Sequence, residues 1–227
     1  MKAAIVVWVL VVSAVVQDNY GKQRGKMVSD QIEERGISNS AVLAALRKTP
    51  RHLFVPESQV SSAYEDRPLP IGHGQTISQP YIVAYMTDVI KPSKNHRVLE
   101  VGTGSGYQAA ILGEIVSEVY TIEIIRDLGA AAEKRLQKLN YENVHVKVAD
   151  GFYGWKEHAP FDAIVVTAAA EHIPPPLLEQ LKEGGRMIIP VGTPFMVQQL
   201  MLVEKTKGGK VKSTSLMPVK FVPFTRE

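Results

Sequence analysis

The 227-residue chain contains no cysteine. That one absence excludes disulfides, thiolate nucleophiles and cysteine–zinc sites together. Its six histidines (His52, His73, His96, His145, His158 and His172) never fall into a spacing such as H-E-x-x-H, which would aim two imidazoles at one metal. They read as surface or packing residues, and no metal is expected. Excess charge is missing too: 26 Lys and Arg against 23 Asp and Glu leave a formal net charge of +3. No dense basic stripe with interleaved aromatics marks a nucleic-acid site. There is no internal repeat and no low-complexity tract. The apolar run Ala3 to Val16 behind Lys2 is short for a bilayer span. With Val12-Ser13-Ala14 as a cleavage site, it has the layout of a secretory signal peptide. The other reading is translated sequence upstream of a true start near Met27. The rest, 45% apolar and 22% charged overall, suffices for one α/β domain with a full core and is short for two.

What is present centres on Arg97-Val98-Leu99-Glu100-Val101-Gly102-Thr103-Gly104-Ser105-Gly106-Tyr107-Gln108. An apolar run carrying an acid is followed by three glycines at alternate positions and then by a helical pattern. This reads as a buried strand turning sharply into a helix, where glycine permits positive φ and close approach of a ligand to the backbone. The spacing is G-x-G-x-G, not the G-x-G-x-x-G that cradles a dinucleotide pyrophosphate. An acidic, glycine-lined turn suits instead a cationic nucleoside without phosphate, such as S-adenosylmethionine. Three more apolar runs end in polar residues: Val119 to Glu123, Val144 to Val148 before Asp150-Gly151, and Phe161 to Val166 before Thr167. Glu123 stands about 20 residues past the turn, where Rossmann-type folds place the carboxylate that grips ribose hydroxyls. Helical periods fill the gaps, including Asp127 to Leu139. Two helices are expected between Val28 and Arg47, broken at Gly36, and a further one from Tyr81 to Ile90.

Elsewhere the signals are weaker. Arg51 to Pro56 reads as a short extended segment, and Ser61 to Pro80 as a polar loop too rich in proline for a helix. The triple proline Pro174 to Pro176 reads as a rigid loop, with a helix beginning at Leu177 and ending at Gly184-Gly185. A hairpin is expected around Lys207-Gly208-Gly209.

Taken together, VLEVGTGSGYQ, GHGQTISQP, FDAIVVTAAAEHIP and LKEGGRMIIPVG resemble the protein-L-isoaspartate (D-aspartate) O-methyltransferase family from about Met27 to Thr225. The glycine turn is shared by many methyltransferases; the GQTISQP segment is the specific one. The resemblance implies a Rossmann-like class I S-adenosylmethionine-dependent methyltransferase fold, with a mostly parallel central sheet, helices on both faces and a C-terminal antiparallel hairpin. It implies a single domain over 27–227, divided into N-terminal helices with a substrate loop (27–92) and a cofactor core with the hairpin (93–227). The signal-like stretch is 1–16. The implied reaction is methylation of the free α-carboxyl of L-isoaspartyl residues in damaged proteins and peptides, with S-adenosyl-L-homocysteine as product.

Residue roles are implied by position. Ser78 matches the family's active-site serine, as a hydrogen-bond donor to the substrate carboxylate and not a nucleophile, since no histidine partner stands beside it. Thr76 and Gln79 flank it toward the cofactor, while Ile77 and Thr225 lie on the substrate side. Gly102, Gly104 and Gly106 let the nucleoside lie against the backbone, and Glu100 sits near the cofactor's amino-acid end or orients the turn. Glu123 takes the ribose, and Asp150 with Gly151 the adenine. A monomer without nucleic-acid or stable membrane association is expected. The cytoplasm, where the methyl donor is made, is the expected compartment, with periplasm or export as the alternative from residues 1–16. A nicotinamide-dependent oxidoreductase is disfavoured by the glycine spacing; a non-catalytic module of the same fold is the other rival.

Overall fold

The structure, a computed structural model, describes residues 19–193 and 196–226; the signal-like stretch 1–16 lies outside them. Seven strands form one sheet in the order β5-β4-β3-β6-β7-β8-β9. They are β3 (Arg97–Val101), β4 (Glu118–Glu123), β5 (Val144–Val148), β6 (Phe161–Val166), β7 (Leu181–Val191), β8 (Gln198–Lys205) and β9 (Val211–Val219). The first five are parallel, and β8 and β9 add antiparallel at one edge. The chain builds outward from β3 through β4 and β5, then returns to β6 on the other side of β3. Such a reversal leaves a crevice at the carboxyl ends of the central strands, where open α/β sheets bind ligands.

Period-2 alternation sends each strand's side chains to two cores. Val98, Val119, Val165 and Ile188 pack with the N-terminal helices on one face. Leu99, Val101, Ile122, Ile164 and Met187 pack with Leu177 and Trp155 on the other. Full burial of each such side chain contributes roughly 1.5–3 kcal/mol, which fixes the register. The register in turn decides where the polar residues fall: Glu100 and Thr121 share the face of Val98 and Val119, under the helices.

Helix α1 (19–28) runs on through a π turn over Ser29–Glu33, and Gly36 at φ +93° ends it. Helix α2 (Ser40–Lys48) is capped by Asn39, whose side chain accepts from Ala41 N and Val42 N. Helices α3 (Pro80–Val89), α4 (Tyr107–Gly113) and α5 (Arg126–Lys138) fall where the helical periods place them.

Three expectations are corrected. Arg51–Phe54 is a 3₁₀ turn, not extended, because the chain coils to bury Arg51. The loop before Pro80 contains a small hairpin, β1 (Leu69–Gly72) with β2 (Gln75–Ile77), closed by positive φ at Gly72, His73 and Gly74. Pro175 and Pro176 open helix α6 (Pro175–Gln180) instead of forming a loop; proline's fixed φ suits a first helical turn, where no N–H is needed. That helix stops at Gln180, and β7 runs straight through Gly184-Gly185. The irregular register between β6 and β7 absorbs the two glycines.

Candidate active site

The floor of the site is the end of β3. Gly102 N donates to Ile122 O at 2.8 Å, and Thr167 N donates to Val101 O at 2.9 Å. The Thr167 hydroxyl donates to Gly102 O at 2.7 Å. A Cβ on Gly102, which sits at φ +98°, would stand 2.3 Å from that hydroxyl oxygen. Glycine is therefore required here twice, by conformation and by space. Gly106 serves differently: a Cβ there would meet Leu136 at 3.2 Å, so it permits close packing of the turn against α5.

Two carboxylates meet this floor. Glu123, at the tip of β4, accepts from Gly104 N at 2.7 Å and Ile125 N at 3.0 Å. A carboxylate has about four acceptor sites, so it fastens the turn and retains lone pairs for a ligand. Glu100 is fully buried. Its Oε2 accepts from the Thr121 hydroxyl, which in turn pairs with the Thr103 hydroxyl at 2.7 Å. Its Oε1 has no partner among the described residues. Burial pushes Glu100 up to about 8, partly offset by the Thr121 hydrogen bond.

Three hollows adjoin. A cleft open to solvent is lined by Val101, Gly102, Gly104, Glu123, Gly151 and Thr225, among others. A second cleft runs past Ser78, Gln79 and Ile82 to Pro218–Val222. Between them an interior hollow is bounded by Ile77, Ser78, Glu100, Tyr107 and Gln108. Thr76 and Thr167 border all three.

The structure thus gathers Thr76, Ile77, Ser78, Gln79, Glu100, Gly102, Gly104, Glu123, Gly151 and Thr225 around connected space, while two anticipated residues stand apart from it. Gly106 packs on α5. The Asp150 carboxylate is taken up by its own chain, accepting from Phe152 N at 2.9 Å and Arg226 Nε at 2.7 Å. Arg226 also lies over the Phe152 ring at 3.7 Å, which ties the tail from Phe221 to Thr225 across the first cleft. Gln79 lines the second cleft, not the first, and its amide donates to Asp66 O at 3.1 Å. Sequence reasoning passed over Thr167 and Phe224 as site residues. Thr167 was visible only as the end of a strand, and its importance follows from the adjacency of β6 and β3.

The fit to S-adenosylmethionine is tested by the linings. No Lys, Arg or His borders the first cleft among the described residues, so no cationic side chain stands there to pair with a pyrophosphate. The Oε1 of Glu100, in a hollow touching the same glycines, is a buried polar atom without a partner among the described residues. Both suit a phosphate-free nucleoside carrying an ammonium group. Among the described residues no group of three or more His, Cys, Asp or Glu is placed to hold a metal ion.

A switch-point crevice with a glycine floor and flanking carboxylates defines a class I methyltransferase of Rossmann-like α/β type, and comparison with known proteins narrows this. The profile of the protein-L-isoaspartate(D-aspartate) O-methyltransferase family matches residues 22–227; the chain belongs to that family. It is 64% identical over 184 residues to protein-L-isoaspartate O-methyltransferase 2 of Polaromonas sp., covering 81% of this chain and 87% of the relative. It is 59% identical over 218 residues to the like-named protein of Syntrophobacter fumaroxidans, covering 92% and 88%. Among solved structures, a protein-L-isoaspartate O-methyltransferase superposes with a TM-score of 0.81 at 30% identity, covering 88% of this chain and 65% of that one. A Plasmodium falciparum protein assigned to the same family, solved in complex with S-adenosyl-L-homocysteine, gives 0.77 at 25% identity, covering 90% and 99%.

Proposed function

We propose that the first cleft holds S-adenosylmethionine and that the enzyme methylates the free α-carboxyl of L-isoaspartyl residues presented in the second cleft. The observation that carries this is the shared border: Thr76 and Thr167 line both clefts and the hollow between them, so two ligands held in them meet beside Ser78.

When bound, S-adenosylmethionine supplies a methyl group already activated on a sulfonium. A carboxylate is ionised at neutral pH, so no residue need act as a general base. What the chain must do is orient and exclude water, which in favourable cases is worth roughly 7–11 kcal/mol. Glu123 holds the Gly104 turn and accepts from ribose hydroxyls with its remaining lone pairs. Glu100 accepts from the amino-acid end through Oε1. Gly102 and Gly104 admit the nucleoside to the backbone, and Gly151 leaves room beside the base. Asp150 serves at one remove, fastening Arg226 and so the tail wall that carries Phe224 and Thr225. Ser78 donates to the substrate carboxylate, with Ile77 buried behind it and Thr76, Gln79 and Thr225 at the margins. The methyl ester then closes to a succinimide as the backbone nitrogen attacks the ester carbonyl and methanol leaves, and hydrolysis of that ring can return aspartate.

The proposal extends to a monomer that needs no metal, does not bind nucleic acid and works in the cytoplasm on damaged proteins, with residues 27–227 as one domain. No helix among the described residues is long and apolar enough to cross a membrane. The test incubates the protein with radiolabelled methyl donor and an isoaspartyl peptide beside its aspartyl twin. Base-labile label on the isoaspartyl peptide alone is expected; equal labelling, or none, refutes the reading.

A further inference from the structure

The N-terminal helices and the turn after them bury a charge, that of Arg51, which no carboxylate among the described residues contacts. Arg51 is fully buried, as is the Tyr107 ring beside it. Its Nε donates to Ala63 O at 2.8 Å and its Nη2 to Ser78 O at 2.7 Å. Its Nη1 and the Tyr107 hydroxyl make no well-formed hydrogen bond to any described residue; the neighbouring Tyr107 side chain nonetheless favours the charge, with its ring centroid 4.8 Å from Arg51 Cζ. The carboxylate of Asp66, which favours the charge from a distance, is engaged by Arg35 at 2.9 Å. Burial pulls the guanidinium down to about 10, so it stays protonated at neutral pH. Buried arginines ordinarily face a carboxylate in bidentate geometry, and without one an apolar residue of similar volume often serves stability better.

The missing anion has an obvious place to come from. Arg51 holds the carbonyl of Ser78, and Ser78 and Tyr107 border the same interior hollow. We propose that Arg51 is a positioning and specificity residue, which fixes the Ser78 segment and supplies from behind it the positive charge that selects an ionised carboxylate over a neutral group. This rests on the reading of Ser78 given above. Arg51 touches no reacting atom. Its field crosses protein instead of water, so it is screened far less than that of the exposed Lys220 at the rim. A neutral carboxamide of the same shape carries no net charge to respond.

The test uses two peptides that differ at one group: an isoaspartyl peptide with its free α-carboxylate, and the same peptide as the α-carboxamide. Binding to the full chain loaded with S-adenosyl-L-homocysteine is measured by calorimetry for wild type, Arg51→Met and Arg51→Lys, with cofactor affinity recorded separately. Wild type is expected to prefer the carboxylate by about tenfold or more, the scale of one charge-assisted contact. Arg51→Met should bring the two peptides to near parity through loss of the carboxylate peptide alone, at unchanged cofactor affinity. Arg51→Lys should retain the preference. Equal weakening of both peptides, or a fall in cofactor affinity in step, reduces Arg51 to a structural role and overturns the inference. Should Arg51→Met fail to fold, loss of the preference in a folded Arg51→Lys overturns it as well. A wild type that neither prefers the carboxylate peptide nor methylates it removes the Ser78 reading and this inference together.

Discussion

The two clefts that meet at Thr76 and Thr167 are made of different material. The first is floored by strand ends whose backbone groups are already paired, as Gly102 N with Ile122 O and Thr167 N with Val101 O. Its acid, Glu123, is held by backbone amides, and Glu100, in the adjoining hollow, by the Thr121 hydroxyl. The second is walled by the loop residues Pro68, Ser78 and Gln79, by the end of β9 and by the tail beyond it to Val222. Among the described residues its one charged lining residue is Lys220, and the charge behind it is Arg51. Precision therefore comes from the sheet on one side and from side chains that pin loops on the other. Charge differs with it: Glu123 lines the first cleft and Lys220 the second.

A substitution at the shared border should damage both sides, and Gly102→Ala is the severest. The new methyl would displace Thr167, and alanine at φ +98° adds about 1–2 kcal/mol of backbone strain. Affinity for S-adenosyl-L-homocysteine is expected to fall by about a hundredfold or more, with the melting temperature down by several degrees. Affinity retained within a factor of three would mean that the strand-end floor does not set the cofactor site.

Substitutions away from the border should separate the clefts. Glu123→Ala removes the acceptor that fastens Gly104 and Ile125, so cofactor affinity by calorimetry should drop roughly ten- to a hundredfold. Ser78→Ala should lower kcat/KM for an isoaspartyl peptide by about tenfold, while the affinity for S-adenosyl-L-homocysteine stays within twofold. If Ser78→Ala weakens the cofactor as much as Glu123→Ala does, the division of labour between the clefts is wrong.

The same contrast explains what could be read from the chain beforehand. The cofactor side was legible because strand periodicity, glycine turns and terminal carboxylates are local signals: β3, β4, β5 and β6 all lie within two residues of the predicted runs. Distances across the sheet were not legible. That Gly106 answers to Leu136, and that Thr167 faces Gly102, depends on which strands and helices become neighbours. Asp150 shows the limit most clearly. Its place after β5 was read correctly, but its carboxylate is consumed by Phe152 N and by Arg226, 76 residues away in sequence. The substrate side was legible only through resemblance. Arg51 looked like part of an unremarkable extended segment, and nothing local says that it is buried without a carboxylate.

The smallest effect distinguishes Glu123, at the first cleft, from Glu100, in the hollow beside it. Burial places Glu100 at about 8 in the cofactor-free protein, far above the ordinary carboxylate range in an unfolded chain. Between about pH 4.5 and pH 8 the native state then keeps a proton that the unfolded state has released. By linkage, stability falls as pH rises through that window and levels off above it. Glu100→Gln keeps the shape of the neutral acid and cannot titrate. The melting temperature of wild type relative to Glu100→Gln should therefore decline by a few degrees from pH 5 to pH 8, then run parallel to it at pH 9. A difference that stays constant across the whole range would mean that Glu100 is already ionised in the free protein. It would then stand with Glu123 as a ready-made anion, and the unpaired Oε1 would have to find its partner in a cation that remains bound without the cofactor.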